Sequence, residues 1–205
     1  MSALVGDLVL VRHAPTTPSR TTPSREWRLA PGAMELTAAL GMGLAGVRLA
    51  APGDTTHLGR LDAVVASQEA KALATARTLG LVLGLQASAA PGLEEHHRGK
   101  APYLDEEEHR RTLRRFFERP GVLVFGTETA EEARARFVAA VDAASAARPG
   151  KRLAVVTHGT VIALALARAN SLDPFTLWES LRLPEAVVVR RDGWRIVERL
   201  GLADA

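Results

Sequence analysis

The sequence predicts an α/β fold: a three-layer sandwich with a mostly parallel central sheet and helices on both faces. Leu8–Arg12 (LVLVR), Leu61–Ser67 (LDAVVAS) and Leu153–Thr157 (LAVVT) are short runs of continuous apolar character. Strands without polar alternation are covered on both faces, as in a parallel sheet packed by helices. Helical patterns fill the intervals, at Met34–Leu49, Glu69–Leu83, Asp105–Glu118, Ala130–Ala147 and Thr160–Ala169. Such alternation over 205 residues is the pattern of one α/β domain with a full core.

The first strand ends in adjacent cations, Arg12 and His13, and runs into Thr16–Arg25, the perfect tandem TTPSRTTPSR. Ten residues are too few for a solenoid, and the Pro and Ser content makes this a loop. It reads as an insertion in a tolerant loop, the functional alternative being Arg20 or Arg25 over a pocket mouth. In DEEEHRRTLRRFFER (Asp105–Arg119), Glu106/Arg110 and Glu107/Arg111 are i,i+4 pairs in the favourable order. Leu113, Phe116 and Phe117 share one face there, so the segment reads as a solvated amphipathic helix. Thr129 and Glu132 predict a capping box, and Asp173 before Pro174 predicts an N-cap followed by proline at the first helical position. That helix carries Trp178. Val187–Arg190 and Trp194–Val197, joined through Arg191-Asp192-Gly193, predict a terminal hairpin.

Composition excludes several function classes. The formal charge of +3 and the lack of a basic stripe with interleaved aromatics argue against nucleic acid. With no cysteine, disulfides, thiolate nucleophiles and cysteine metal sites are excluded. Asp7 interrupts the apolar N-terminal stretch, which lacks a basic leader and a cleavage site, so no signal peptide is expected. No run reaches the ~18 apolar residues of a membrane span. The expectation is a cytoplasmic protein without membrane or nucleic-acid partners, with a homodimer as the quaternary expectation. Arginine outnumbers lysine 23 to 3, which reflects either coding bias or a need for anion-binding forks.

Ligands of open α/β sheets bind at the carboxyl edges of the strands. Arg12 and His13 leave the first strand at that edge, and His158, followed by Gly159 and an apolar helix, leaves the third. Helix N-termini there present free N–H groups to anions. The two strand ends together read as a phosphate pocket.

Four blocks then resemble the histidine phosphatase (phosphoglycerate mutase-like) superfamily, in its order and spanning residue 8 to about 165. They are Val11-Arg12-His13-Ala14 with Thr16, SQEAKALATA (Ser67–Ala76), LEEHHRG (Leu93–Gly99) and VVTHGTVIAL (Val155–Leu164). The resemblance implies a metal-independent phosphomonoesterase with no cofactor, acting on a phosphorylated small molecule. His13 would be the nucleophile, forming a phosphohistidine. Arg12, Lys71, His158, the Gly159 amide and the Thr16 hydroxyl would hold the phosphoryl oxygens. Glu95 would be the general acid, with Glu128 and then Glu94 as alternatives. Residues 99–126 would form a small helical cap on the single domain 1–205.

Two positions depart from the family pattern. Lys71 stands where a second arginine is usual, which keeps the charge and loses the bidentate fork; Arg60 and Arg98 are candidates to assist it. Ser19 stands where many members carry a phosphate-contacting asparagine. His96-His97 suggests a metal pair, but without a carboxylate partner at ligand spacing a pocket-rim or solvated role is the stronger reading. Competing functions are a phosphoglycerate-type phosphomutase and a non-catalytic phosphate-binding protein. The modest cap disfavours the first, and the retained acid disfavours the second.

Overall fold

The structure is a computed structural model that describes residues 7–47, 49–51, 54–99 and 103–201. Strands β1 (Leu8–Arg12), β4 (Ala63–Ala66), β5 (Ala87–Ala89) and β6 (Leu153–Thr157) run parallel in one sheet. Strands β7 (Glu185–Arg190) and β8 (Arg195–Gly201) add antiparallel at one side, giving the order β5-β4-β6-β1-β7-β8. Helices α1 (Ala33–Ala45) and α2 (Ala70–Leu83) pack on one face. On the other lie α3 (Glu106–Glu118), α4 (Ala130–Ala146), α5 (Gly159–Ala167) and α6 (Pro174–Ser180).

The pleat explains why the strands read as unbroken apolar runs. Leu8, Leu10, Leu153, Val155, Val187 and Val189 join the core under the second helical layer. Their neighbours Val9, Val11, Ala154, Val156, Ala186 and Val188 join the core under α1 and α2. Both faces are dry, so neither set is polar. Strand β8 is the edge strand on the antiparallel side and alternates exposed and half-buried positions.

Local signals act as expected. Thr129 accepts the Glu132 N–H while the Glu132 side chain takes the Thr129 N–H, closing the capping box of α4. Asp173 accepts the Thr176 N–H ahead of Pro174, and Asp105 accepts the Glu108 N–H at the start of α3. The first helix is shorter than the periodicity predicts. It carries Gly41 and Gly43 and stops at Gly46, because glycine weakens a helix. A two-stranded hairpin follows, β2 (Leu49–Ala51) with β3 (Asp54–Gly59); only Leu49 of it falls within the predicted helix, and the rest is additional to the sequence reading. Strand β5 is also additional to the sequence reading; three residues carry too little pattern.

Met1–Gly6 and Lys100–Pro102, part of the segment expected to form the cap, lie outside the described residues. Among the described residues no helix is long and apolar enough to cross a membrane.

Candidate active site

Strands β4, β6 and β1 lie side by side, so Ser67, His158 and His13 leave the sheet as neighbours at one edge. The His13 N–H donates to the Thr157 carbonyl at 2.9 Å, holding the chain after β1 against β6. The His13 and His158 rings then meet edge to face, with centroids 5.1 Å apart.

Each imidazole has one nitrogen committed. His13 Nδ1 lies 2.8 Å from the Ala14 carbonyl, an acceptor only, so Nδ1 carries the proton and Nε2 keeps its lone pair. His158 Nε2 lies 2.9 Å from Ser67 Oγ. Ser67 Oγ already accepts the Glu69 N–H at 3.2 Å, so its own hydrogen can go to Nε2, which leaves His158 Nδ1 as a donor with no protein partner. Burial holds His13 well below the usual histidine range, helped by His158 and Lys71. Burial does the same to His158, helped by Lys71 and Arg12. Both rings are neutral near pH 7.

Arg12 donates through Nη1 to the Leu181 carbonyl, and its Nε has no partner. Gly159, the first residue of α5, lets this guanidinium approach. A Cβ there would sit 2.9 Å from Arg12 Nε and 3.0 Å from Cζ. Glu95 takes the N–H of His96 at 2.9 Å on one oxygen and of Thr160 at 3.3 Å on the other. It is also the foremost opposing charge on Arg12. Thr16 stands in the loop after His13, bridged to Leu29.

Lys71 is buried at 5% exposure, not solvated. Its Nζ donates to the Ser24 carbonyl at 2.7 Å and to the Glu69 carboxylate. The tandem loop therefore reaches the site through the backbone of its second copy, while Ser19 Oγ accepts the Thr21 and Thr22 N–H groups within the loop. Arg20 stacks on Tyr103, and Arg25 pairs with Glu26 in the open. The Thr75 hydroxyl accepts the Ala14 N–H at 3.0 Å and donates to the Lys71 carbonyl at 2.8 Å, tying α2 to the chain after His13.

Other candidates separate cleanly. Arg60 is exposed and precedes β4, at the edge opposite Ser67. Arg98 touches His109 Nε2 at 3.3 Å and has a buried, unpartnered Nε; it also contributes to the field on His158. Glu128 is clamped by Arg136 through Nε at 3.0 Å and Nη2 at 2.6 Å, and it accepts the His97 N–H. Burial alone would raise Glu128, but the Arg136 and His97 bonds outweigh it and hold it below the ordinary carboxylate range. A carboxylate so engaged is a poor proton donor. Glu94 lies 3.8 Å from the same arginine. His96 is buried between Phe116 and Phe125, each 4.4 Å away, with Nε2 near the Glu128 carbonyl, so it acts as a core residue.

Two residues of evident importance escaped the sequence reading. Arg136 donates to the carbonyls of Gly92, Glu94 and Glu95 and so fixes the loop that carries Glu95. Glu69, 9% exposed, accepts the Glu95 N–H at 2.9 Å and lies 3.6 Å from His158 Nε2. Neither stands out by spacing: an arginine inside α4 and a glutamate before α2 read as ordinary surface charges.

Among the described residues, buried side-chain atoms without a partner are Arg12 Nε, His158 Nδ1, Arg98 Nε, Thr160 Oγ1 and His96 Nδ1. Arg12, His158 and Thr160 surround the same strand edge, and buried polar groups are rarely left unpaired without a functional reason.

The model of the histidine phosphatase superfamily (branch 1) matches residues 8–198. Solved structures with the same fold include a mycobacterial glucosyl-3-phosphoglycerate phosphatase, at 20% identity and TM-score 0.64 over 92% of this chain and 94% of that one. That phosphatase is also solved with inorganic phosphate. Bacillus stearothermophilus YhfR matches at 21% identity and TM-score 0.66, over 96% of this chain and 97% of that one. Thermus thermophilus TTHB049 matches at 22% and 0.60, over 95% and 99%. No curated protein matches in sequence. With the family model spanning nearly the whole chain, this phosphatase belongs to branch 1 of the histidine phosphatase superfamily.

Proposed function

We propose that the chain is a phosphomonoesterase that acts through a phosphohistidine on a small phosphorylated metabolite. The observation that carries this reading is the pair of imidazoles meeting edge to face at one strand edge, His13 with Nδ1 taken by the Ala14 carbonyl and His158 with a buried, unpartnered Nδ1. Nε2 of His13 attacks phosphorus as the P–O bond to the leaving group breaks. Arg12, Lys71, the His158 N–H and the Gly159 amide meet the charge on the equatorial oxygens, with the Thr16 hydroxyl as a further donor. Glu95 delivers a proton to the leaving oxygen. It then takes a proton from the water that attacks the phosphohistidine, releasing orthophosphate and restoring His13. The charge on the transferring group is met by protein cations and dipoles, so no step calls for a metal.

Residues 99–126 serve as the cap in this reading. A cleft of about 240 Å³ runs from Arg12 to α3 and α6, lined by Glu106, His109, Arg110, Trp178 and Glu179. That volume suits a compact leaving group. Arg110 is paired with Glu179, and His109 is held down to about 4 by burial and by Arg98. Among the described residues lining the cleft, the cations besides Arg12 are Arg110, already paired, and His109, held neutral, which favours hydrolysis over the mutase alternative.

The test is to quench a reaction with labelled aryl phosphate and look for an acid-labile, base-stable phosphoenzyme. His13→Ala should be folded, unlabelled and inactive. A His13→Ala protein that still turns over would refute the mechanism, and a panel of phosphorylated metabolites would then rank substrates for the wild type.

A further inference from the structure

The lysine in place of the usual second arginine poses a geometric problem. An arginine presents a rigid planar fork to phosphate, whereas an ammonium is a point charge on a flexible stem. Aiming it requires other groups to take up its spare hydrogens.

We propose that Glu69 is the positioning residue that turns Lys71 into a directed phosphate donor. An ammonium has three N–H groups. One goes to the Ser24 carbonyl at 2.7 Å and one to Glu69 Oε2; with those two fixed, tetrahedral geometry fixes the third. The Lys71 ammonium is one of the cations acting on both His13 and His158, and Glu69, its partner, lies 3.6 Å from His158 Nε2, so on this proposal the third N–H goes to a phosphate held between the two rings. The other Glu69 oxygen accepts the Glu95 N–H at 2.9 Å and lies 3.6 Å from His158 Nε2. One buried carboxylate thus ties together the cation, the backbone of the acid and the region of the second histidine. Its own N–H is fixed on Ser67 Oγ, at the end of β4. Glu69 touches neither phosphate nor leaving group in this arrangement; it acts through Lys71.

A rival role follows from the same contacts. The Glu69 carboxylate is itself an anion beside Lys71, so it could compete with phosphate for that charge. The two roles predict opposite responses. In Glu69→Gln an amide of the same shape keeps an oxygen for the Glu95 N–H but turns an NH₂ toward Lys71, where donor meets donor. If Glu69 positions Lys71, the variant should lose about tenfold or more in kcat/KM, mainly through KM, and orthophosphate should inhibit more weakly by a similar factor. If Glu69 competes, orthophosphate should inhibit more strongly.

The proposal rests on the phosphohistidine reading, so the experiment separates the two. Aryl phosphate turnover is measured in wild type, His13→Ala, Glu69→Gln, Lys71→Ala and the Glu69→Gln/Lys71→Ala double variant, each checked by thermal melting. Turnover that persists in His13→Ala sinks the reading itself. Given turnover that depends on His13, the double variant should lie within about threefold of Lys71→Ala alone, because coupled residues are non-additive. Losses that multiply, a Glu69→Gln effect below about twofold, or tighter orthophosphate inhibition would each overturn the positioning role. Glu69→Asp keeps the carboxylate and runs the same cycle should the glutamine variant fail to fold; it should retain more activity than any neutral substitution.

Discussion

Gly159→Ala separates stability from catalysis at a single methyl group. The added Cβ would meet Arg12 Nε at 2.9 Å, Cζ at 3.0 Å and Nη2 at 3.3 Å. Ordinary carbon contacts begin at roughly 3.5 Å, so the guanidinium must retreat by about half an ångström. It is anchored to the Leu181 carbonyl and shut in by the start of α5, so it moves by breaking the fork's alignment. A charge-assisted hydrogen bond is worth about 1.5–3 kcal/mol, which corresponds to a loss of roughly 10- to 150-fold in kcat/KM. The helix should gain, since alanine exceeds glycine by up to about 1 kcal/mol in a helix and somewhat less in its first turn. The assay is aryl phosphate kinetics paired with a thermal melt. The expected result is an activity lowered at least tenfold, an order of magnitude set by the same bond, beside a melting point that moves little, because the helix gain opposes the cost of displacing the guanidinium. Activity within about twofold of wild type would show that Arg12 does not hold the phosphoryl group at this distance.

Further expectations are directly measurable. Arg136→Ala frees the carbonyls of Gly92, Glu94 and Glu95 and leaves the buried Glu128 without its cation; activity should fall by on the order of tenfold or more and the melt should drop, since breaking a buried pair from one side costs up to about 3–5 kcal/mol. Hydrolysis should survive exhaustive chelation, and activity restored only by a divalent ion would contradict a site run on protein cations. Stability should fall on acidification below pH 6.5. The folded-state values of His13, His158 and His109 lie below that of the unfolded chain, so the unfolded state binds more protons there and ΔG of unfolding rises with pH up to about 6.5, then levels. A denaturant midpoint flat from pH 7 down to 5 would contradict neutral buried imidazoles. Phe116→Ala, which empties a fully buried ring site against His96, should cost about 3–5 kcal/mol.

Much of the frame was legible because its signals are local. The strands of LVLVR and LAVVT are marked by apolar continuity, which follows directly from coverage on both faces. The capping box at Thr129 and the Asp173-Pro174 start are read from chemistry within one turn. The pairing of His13 with His158 was legible for a topological reason: both leave buried parallel strands at the carboxyl edge. What escaped was either too short to show a period, as with β5 and the β2–β3 hairpin, or depended on contacts far apart in sequence. Arg136 bonds a loop 41 to 44 positions away, and nothing in AEEARARFVAAV distinguishes it from Arg134, which pairs with Glu131 on the surface.

Lys71 and Glu69 show how a legible departure can point to an illegible partner. The lysine stood out by comparison with a family pattern, and the open question was which cation would assist it. Arg60 is ruled out by topology, and Arg98 is engaged with His109 on α3. The structure instead supplies an anion and a carbonyl. That outcome has a physical logic: an arginine lost from an anion site forfeits direction more than charge, and another cation would restore only charge. On the proposed positioning role, direction comes from acceptors that take two of the three ammonium hydrogens and leave one for phosphate, and here they are Glu69, two residues away, and Ser24 in the duplicated loop. The second TTPSR copy is therefore tied to the site through its backbone. A deletion of one repeat should be read against Lys71 geometry rather than treated as loss of a tolerant loop.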